Sequence, residues 1–209
     1  MYVVEVKIMS NDIKSKTVEN KSEKEKKLLD ASFYLFTKKG FKNTSIQEIV
    51  DRAKVAKGTF YLYFKDKYDI QDYLITYKSK ELFLKAIKHV DKEKITTFVD
   101  RFIGIVDYLI DEFKKNEDLL MFISKNLSWG VFGNRVSSLI DNSSLGVLDI
   151  FKKEIEDNNL KIDNPEITLF MIIELTSSVV FSSITSDVPL PIDELKPYLY
   201  KEIRKMLTD

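Results

Sequence analysis

The sequence predicts an all-α protein, a small N-terminal three-helix unit followed by a larger helical remainder, on three observations. Apolar residues recur at helical spacing along most of the chain. Turn formers are scarce, with 4 Pro and 6 Gly in 209 residues, which disfavours turn-rich β architecture. A hydrophobic content of 44% is enough for a sizeable core in one large or two small domains.

Net charge is zero but unevenly spread. Residues 1–90 hold 19 Lys+Arg against 12 Asp+Glu, and the remainder holds 14 against 21. A basic first part and an acidic second part fit a nucleic-acid-binding head on a body that does not bind it; chance unevenness of solvated faces gives the same numbers. The absence of Cys rules out a disulfide framework and thiol chemistry, and fits a reducing cytosol.

Residues 1–22 are briefly strand-like from Tyr2 to Met9 and then polar. They lack the pattern of a signal peptide. They read either as a tail whose Lys14, Lys16 and Lys21 lie along DNA phosphates, or as a leader before a start at Met9. Ser22 and Glu25 form a capping box for a first helix. Its buried side carries Leu28, Ala31, Leu35 and Phe36, and Gly40 stops it.

From Thr44 to Lys67 the pattern gives two short helices and a tight turn. Ile46, Ile49, Val50 and Ala53 make one apolar face, with Thr44 or Ser45 as cap. Lys54-Val55-Ala56 is the turn, and Phe60 and Phe64 face inward from the second helix. Two helices so joined form a helix-turn-helix. The outward residues suit DNA: Lys57 a charge, Thr59, Tyr61 and Tyr63 hydroxyls, Leu62 a contact for a thymine methyl, and Lys65 and Lys67 a phosphate clamp at the next helix start.

The run Lys57-Gly58-Thr59-Phe60-Tyr61-Leu62-Tyr63-Phe64-Lys65-Asp66-Lys67, with Gly40-Phe41, Thr44-Ser45-Ile46 and Ile49 before it, resembles the signature of the TetR (tetracycline-repressor) family. The resemblance covers about residues 23 to 75. It implies an N-terminal helix-turn-helix domain and a C-terminal helical ligand-binding and dimerisation domain. It implies DNA contacts from Thr44, Ser45, Lys57, Gly58, Thr59, Tyr61, Leu62, Tyr63 and Lys67. Two positions depart from the pattern. Lys54 stands where the family usually has Gly, at a cost if φ is positive. Ala56 stands where it has Ser, and cannot cap through its side chain. The expected division is a tail at 1–22, a DNA-binding domain at 23–68 and a ligand-binding and dimerisation domain at 69–209.

Asp66 caps a long helix from Lys67 toward His89. The resemblance implies that this helix passes ligand-induced shifts to the head. His89 is the sole histidine and reads as a solvated helix-end residue, since no Cys or carboxylate stands at ligand spacing. Further helices are expected over Ile95–Phe113, Glu117–Leu127 and Arg135–Asn158, with a loop at Ser128–Asn134. Pro165 opens a helix that is apolar nearly all round, from Glu166 to about Ser186. It reads as too short, and with Glu174 too polar, for a membrane span. Pro189 and Pro191 break the chain before a last amphipathic helix over Ile192–Thr208. In the resembled family the last two long helices pair with their copies in a second subunit. Burial of the apolar helix within one subunit is the alternative.

For an effector pocket the candidates are Phe102, Phe122, Trp129, Phe132 and Met171, with Glu174 as the polar partner. No catalytic set, metal site, phosphate loop or cofactor motif emerges. The sequence thus predicts a cytoplasmic, homodimeric regulator, not an enzyme. Its partners would be a roughly palindromic double-stranded DNA operator and a small apolar or amphipathic effector that releases a repressor, with no membrane. The rival is a dimeric helical ligand-binding or interaction protein with a degenerate head.

Overall fold

The computed structural model describes residues 23–93, 95–123 and 147–208, and all nine elements among them are helices. They are α1 (residues 23–38), α2 (Ile46–Ala53), α3 (Lys57–Tyr63), α4 (Lys67–Lys92), α5 (Phe98–Lys115), α6 (Glu117–Ile123), α7 (Val147–Asp157), α8 (Pro165–Ser186) and α9 (Ile192–Thr208). The chain divides into two compact units, with the boundary between Leu74 and Ile75, inside α4.

The first unit has its own core. Leu28, Leu29, Ala31 and Phe36 of α1 are buried with Ile49, Val50 and Ala53 of α2, and with Phe60, Phe64, Ile70 and Leu74. Helical spacing selects all of these but Leu29, while Leu35 and Ile46, expected on the buried faces, are only partly buried. Gly40 ends α1 with a φ of 86°, a left-handed value that glycine adopts at little cost. The Ser22 cap expected for α1 lies outside the described residues.

The second unit is organised by α5 and α9, which run antiparallel and are joined by a ladder of charges. Arg204 reaches Asp100 at 2.5 Å, the Tyr200 hydroxyl reaches Asp107 at 2.5 Å, Lys196 bridges Asp107 and Asp111, and Lys114 holds Asp193 at 2.7 Å. Beneath the ladder lie Val106, Leu109, Ile110, Leu199 and Ile203. α5 begins at Phe98 rather than at Ile95, because the Thr97 side chain accepts from the Asp100 N–H and caps it there.

α8 packs against α7 and α9 through Leu169, Ile172, Ile173 and Val180, while Ile167, Phe170, Met171 and Leu175 remain exposed. Its 22 residues correct the expectation that it is too short for a membrane span. By length and composition alone it is long and apolar enough to cross one. The loop expected at Ser128–Asn134 and the first half of the helix expected over 135–158 lie outside the described residues.

Candidate functional site

The α2–α3 turn forms as a helix-turn-helix needs, despite both departures. Lys54 adopts φ 55° and ψ 44°, the left-handed conformation that a glycine would take more cheaply. Ala56 is extended at the start of α3 and supplies no side-chain cap. The start of α2 is better built. Ser45 caps it, accepting from the Glu48 N–H at 3.2 Å, and Glu48 returns a bond to the Ser45 N–H at 2.9 Å. Hydrogen bonds from Lys39 and then Ser45 draw the Glu48 pKa down to about 2.

α3 presents an uncovered face. Its exposed large apolar side chains are Leu62, at 79%, and Tyr61, at 53%. Lys57 and Gly58 are exposed one turn earlier, and Thr59 is partly so. A Cβ placed on Gly58 would meet nothing within 4 Å, so the fold itself does not require glycine there. Tyr63 leans toward α1: burial, then the nearby Glu25 carboxylate, pushes its phenol pKa up.

Two residues expected to face DNA are turned inward. Thr44 is 2% exposed, and its hydroxyl donates to the Gly40 carbonyl at 2.9 Å. Lys67 sends its ammonium back to the carbonyls of Phe41 and Thr44, each at 2.8 Å, and lies 4.5 Å from the centre of the Phe41 ring. An ammonium has three donors, and these oxygens take two of them. Lys67 therefore ties the α1–α2 turn to the start of α4. The cap of α4 is Asp66, which accepts from the Tyr68 and Asp69 N–H groups at 2.9 Å.

The second unit contains a cavity of about 330 Å³. Its walls come from α4 (Phe83, Leu84, Ile87), α5, α7 and α8. Of the expected pocket residues, Phe102 lines it. Phe122 is buried elsewhere, and Met171 and Glu174 sit on the exposed side of α8. Trp129 and Phe132 lie outside the described residues. Sequence reasoning missed the ring of Phe151, which packs with those of Phe98 and Phe102 at centroid distances of 5.9 and 5.8 Å, and the polar Arg101, Glu154 and Thr176. Arg101 is ion-paired with Asp91 at 2.8 Å. The Thr176 hydroxyl is buried with no hydrogen-bond partner. His89 is exposed, its ring 5.0 Å from that of Tyr108. Among the described residues no group of three or more His, Asp and Glu is placed to hold a metal ion.

A three-helix head with an uncovered α3, followed by a helical unit with an apolar cavity, defines a helix-turn-helix transcriptional regulator. The model of the bacterial regulatory proteins of the tetR family matches residues 28–74. The chain is a transcriptional regulator whose head is similar to that family. It is 29% identical over 164 residues to the uncharacterized HTH-type transcriptional regulator YhgD of Bacillus subtilis (strain 168), covering 76% of this chain and 83% of that protein. Among solved structures it resembles a putative TetR-family regulator from Syntrophomonas wolfei, with a TM-score of 0.63 at 24% identity, over 88% of this chain and 95% of that one. It also resembles the regulator FadR from Bacillus subtilis in complex with stearoyl-CoA, with a TM-score of 0.60 at 18% identity, over 87% of this chain and 98% of that one. At these identities the two structures speak for the fold.

Proposed function

We propose that the protein is a homodimeric, cytoplasmic repressor that binds a roughly palindromic operator and is released from it by a small apolar or amphipathic effector. The observation that carries the DNA half is the uncovered face of α3, where Tyr61 and Leu62 project beside an open Gly58. In this reading Lys57, Thr59, Tyr61 and Tyr63 meet phosphates and base edges, Leu62 meets a thymine methyl, and Gly58 lets the DNA backbone approach. Ser45 offers its exposed helix start to a phosphate, while Thr44 and Lys67 hold the head in shape. Two copies of α3 would enter successive major grooves about 34–36 Å apart.

The exposed apolar stripe of α8, Ile167, Phe170, Met171 and Leu175, supports pairing with a second subunit. The 330 Å³ cavity is within the range of small-molecule sites, about 300–1,000 Å³. The stearoyl-CoA held by the FadR neighbour supports an elongated amphiphile as its occupant. An effector releases DNA only through different affinities for the two head spacings.

The test is a fluorescence-anisotropy titration of duplex from just upstream of the gene, at two salt concentrations, against a scrambled duplex. Tight, steeply salt-dependent binding that favours the upstream duplex is expected. Equal, weak binding to every sequence in a random duplex selection would overturn the reading in favour of a degenerate head.

A further inference from the structure

We propose that Lys54, in the turn between α2 and α3, binds a DNA phosphate, its charge kept there against the conformational preference of the turn. The inference deepens the reading of α3 as the DNA-contacting helix and rests on it.

The conformation is the first observation. Lys54 has φ 55° and ψ 44°. Its N–H donates to the Asp51 carbonyl at 3.2 Å, and the Val55 N–H donates to the Val50 carbonyl at 3.0 Å. Backbone bonds therefore fix the left-handed turn, whatever side chain stands at 54. Among the described residues, three other than glycine have a positive φ. Asn159 and Asp187, both at 52°, carry the short polar side chains that suit this conformation. Lys54 is the third, and a lysine there costs stability that glycine or asparagine would not. Backbone strain of this kind collects where a side chain serves binding.

The position is the second. Lys54 is exposed and stands three residues before Lys57, the first residue of α3. Three residues of chain span at most about 11 Å, close to the width of the major groove, about 12 Å. A recognition helix enters that groove by its N-terminal residues. With Lys57 and Gly58 inside the groove, Lys54 stands at its lip, where the phosphates run. A flexible four-carbon stem lets its ammonium follow one of them.

Other cations of the head serve its own structure. Arg52 lies 3.3 Å from the centre of the Tyr34 ring, Lys39 pairs with Glu48, and Lys67 donates to the Phe41 and Thr44 carbonyls. Each of these would have to leave a partner in the head to reach DNA. Lys54 sits instead on the stretch of chain that leads into α3.

The experiment is an anisotropy titration of the full-length protein on the upstream duplex and on a scrambled duplex of the same length, over a series of salt concentrations. Wild type is compared with Lys54→Asn, Lys54→Gly and Lys54→Arg. Asparagine tolerates the left-handed conformation and drops the charge. Lys54→Asn and Lys54→Gly should each weaken binding by up to about fivefold on both duplexes. Each should also reduce the slope of log K against log salt by about one per head. Lys54→Arg should keep the slope. Thermal melts show that each variant is folded, and Lys54→Gly should melt above wild type while binding DNA less well, which a residue serving only the fold would not do. An unchanged slope in Lys54→Asn and Lys54→Gly overturns the proposal and leaves the DNA-binding reading standing. A loss confined to the upstream duplex also overturns it, because a phosphate is the same in every sequence. Wild-type protein that shows no salt-dependent binding to either duplex overturns the DNA-binding reading and the proposal together.

Discussion

The Tyr200 hydroxyl donates to the Asp107 carboxylate at 2.5 Å, joining α9 to α5 across 93 residues of sequence. Burial pulls the Asp107 pKa up, but hydrogen bonds from Lys196 and Tyr200 outweigh it and hold the group below its ordinary value. A carboxylate with a depressed folded pKa stabilises fully above its unfolded value, about 4, and loses that contribution as pH falls. Denaturant titrations should show stability falling from about pH 4 downward, less steeply in Asp107→Asn than in the wild type. At neutral pH, Tyr200→Phe should cost about 1 kcal/mol.

Lys67→Met removes the donor to the Phe41 and Thr44 carbonyls. It should lower the stability of the head by roughly 1–3 kcal/mol. Operator affinity should fall with the head's folding while the salt slope stays unchanged. A slope reduced by about one would instead place Lys67 on a phosphate.

Gly58→Ala separates folding from recognition. A helix interior gains roughly 0.5–1 kcal/mol from this change, and here the new methyl meets nothing within 4 Å. The melting temperature should rise slightly. Operator affinity should drop, because the methyl would stand between α3 and the DNA backbone. Unchanged affinity would remove Gly58 from the contact list.

Tyr61 is exposed enough to lose its hydroxyl without consequence for the core. Tyr61→Phe should weaken operator binding by about 1 kcal/mol, if the hydroxyl meets a phosphate or base, and leave the melting curve in place. The same anisotropy titration reads it.

The turn can be improved. Lys54→Gly relieves a left-handed non-glycine residue, worth about 1 kcal/mol, and Ala56→Ser adds a missing cap worth about as much. Each should raise the thermal stability of the head. A neutral result for Ala56→Ser would mean that the serine hydroxyl does not reach the Thr59 or Phe60 N–H.

The head was largely legible in the sequence because its helices are amphipathic, so period alone singled out Ile49, Val50, Ala53 and Phe60 as core. Thr44 and Lys67 were not, since a polar residue at a helix start looks the same whether it meets a phosphate or a carbonyl. The cavity was less readable. Phe102 was expected, but Phe151 belongs to a residue type that also fills cores, and nothing in its spacing marks a void beside it. α8 is apolar on every side, so it carries no period to say which face is buried. That is why Met171 and Glu174 were assigned to a pocket from which the structure turns them away.

The α5–α9 ladder also bears on how the protein is made. Asp100, Asp107 and Asp111 emerge from the ribosome long before Lys196, Tyr200 and Arg204 are translated, separated from them by 85 to 104 residues. Until α9 is released, the nascent α5 carries three carboxylates on one side with no α9 cation to meet them. The second unit therefore closes only once α9 has been made. A premature stop or a proteolytic clip before Ile192 would strand those carboxylates and expose the apolar surface beneath them, marking the truncated chain for degradation.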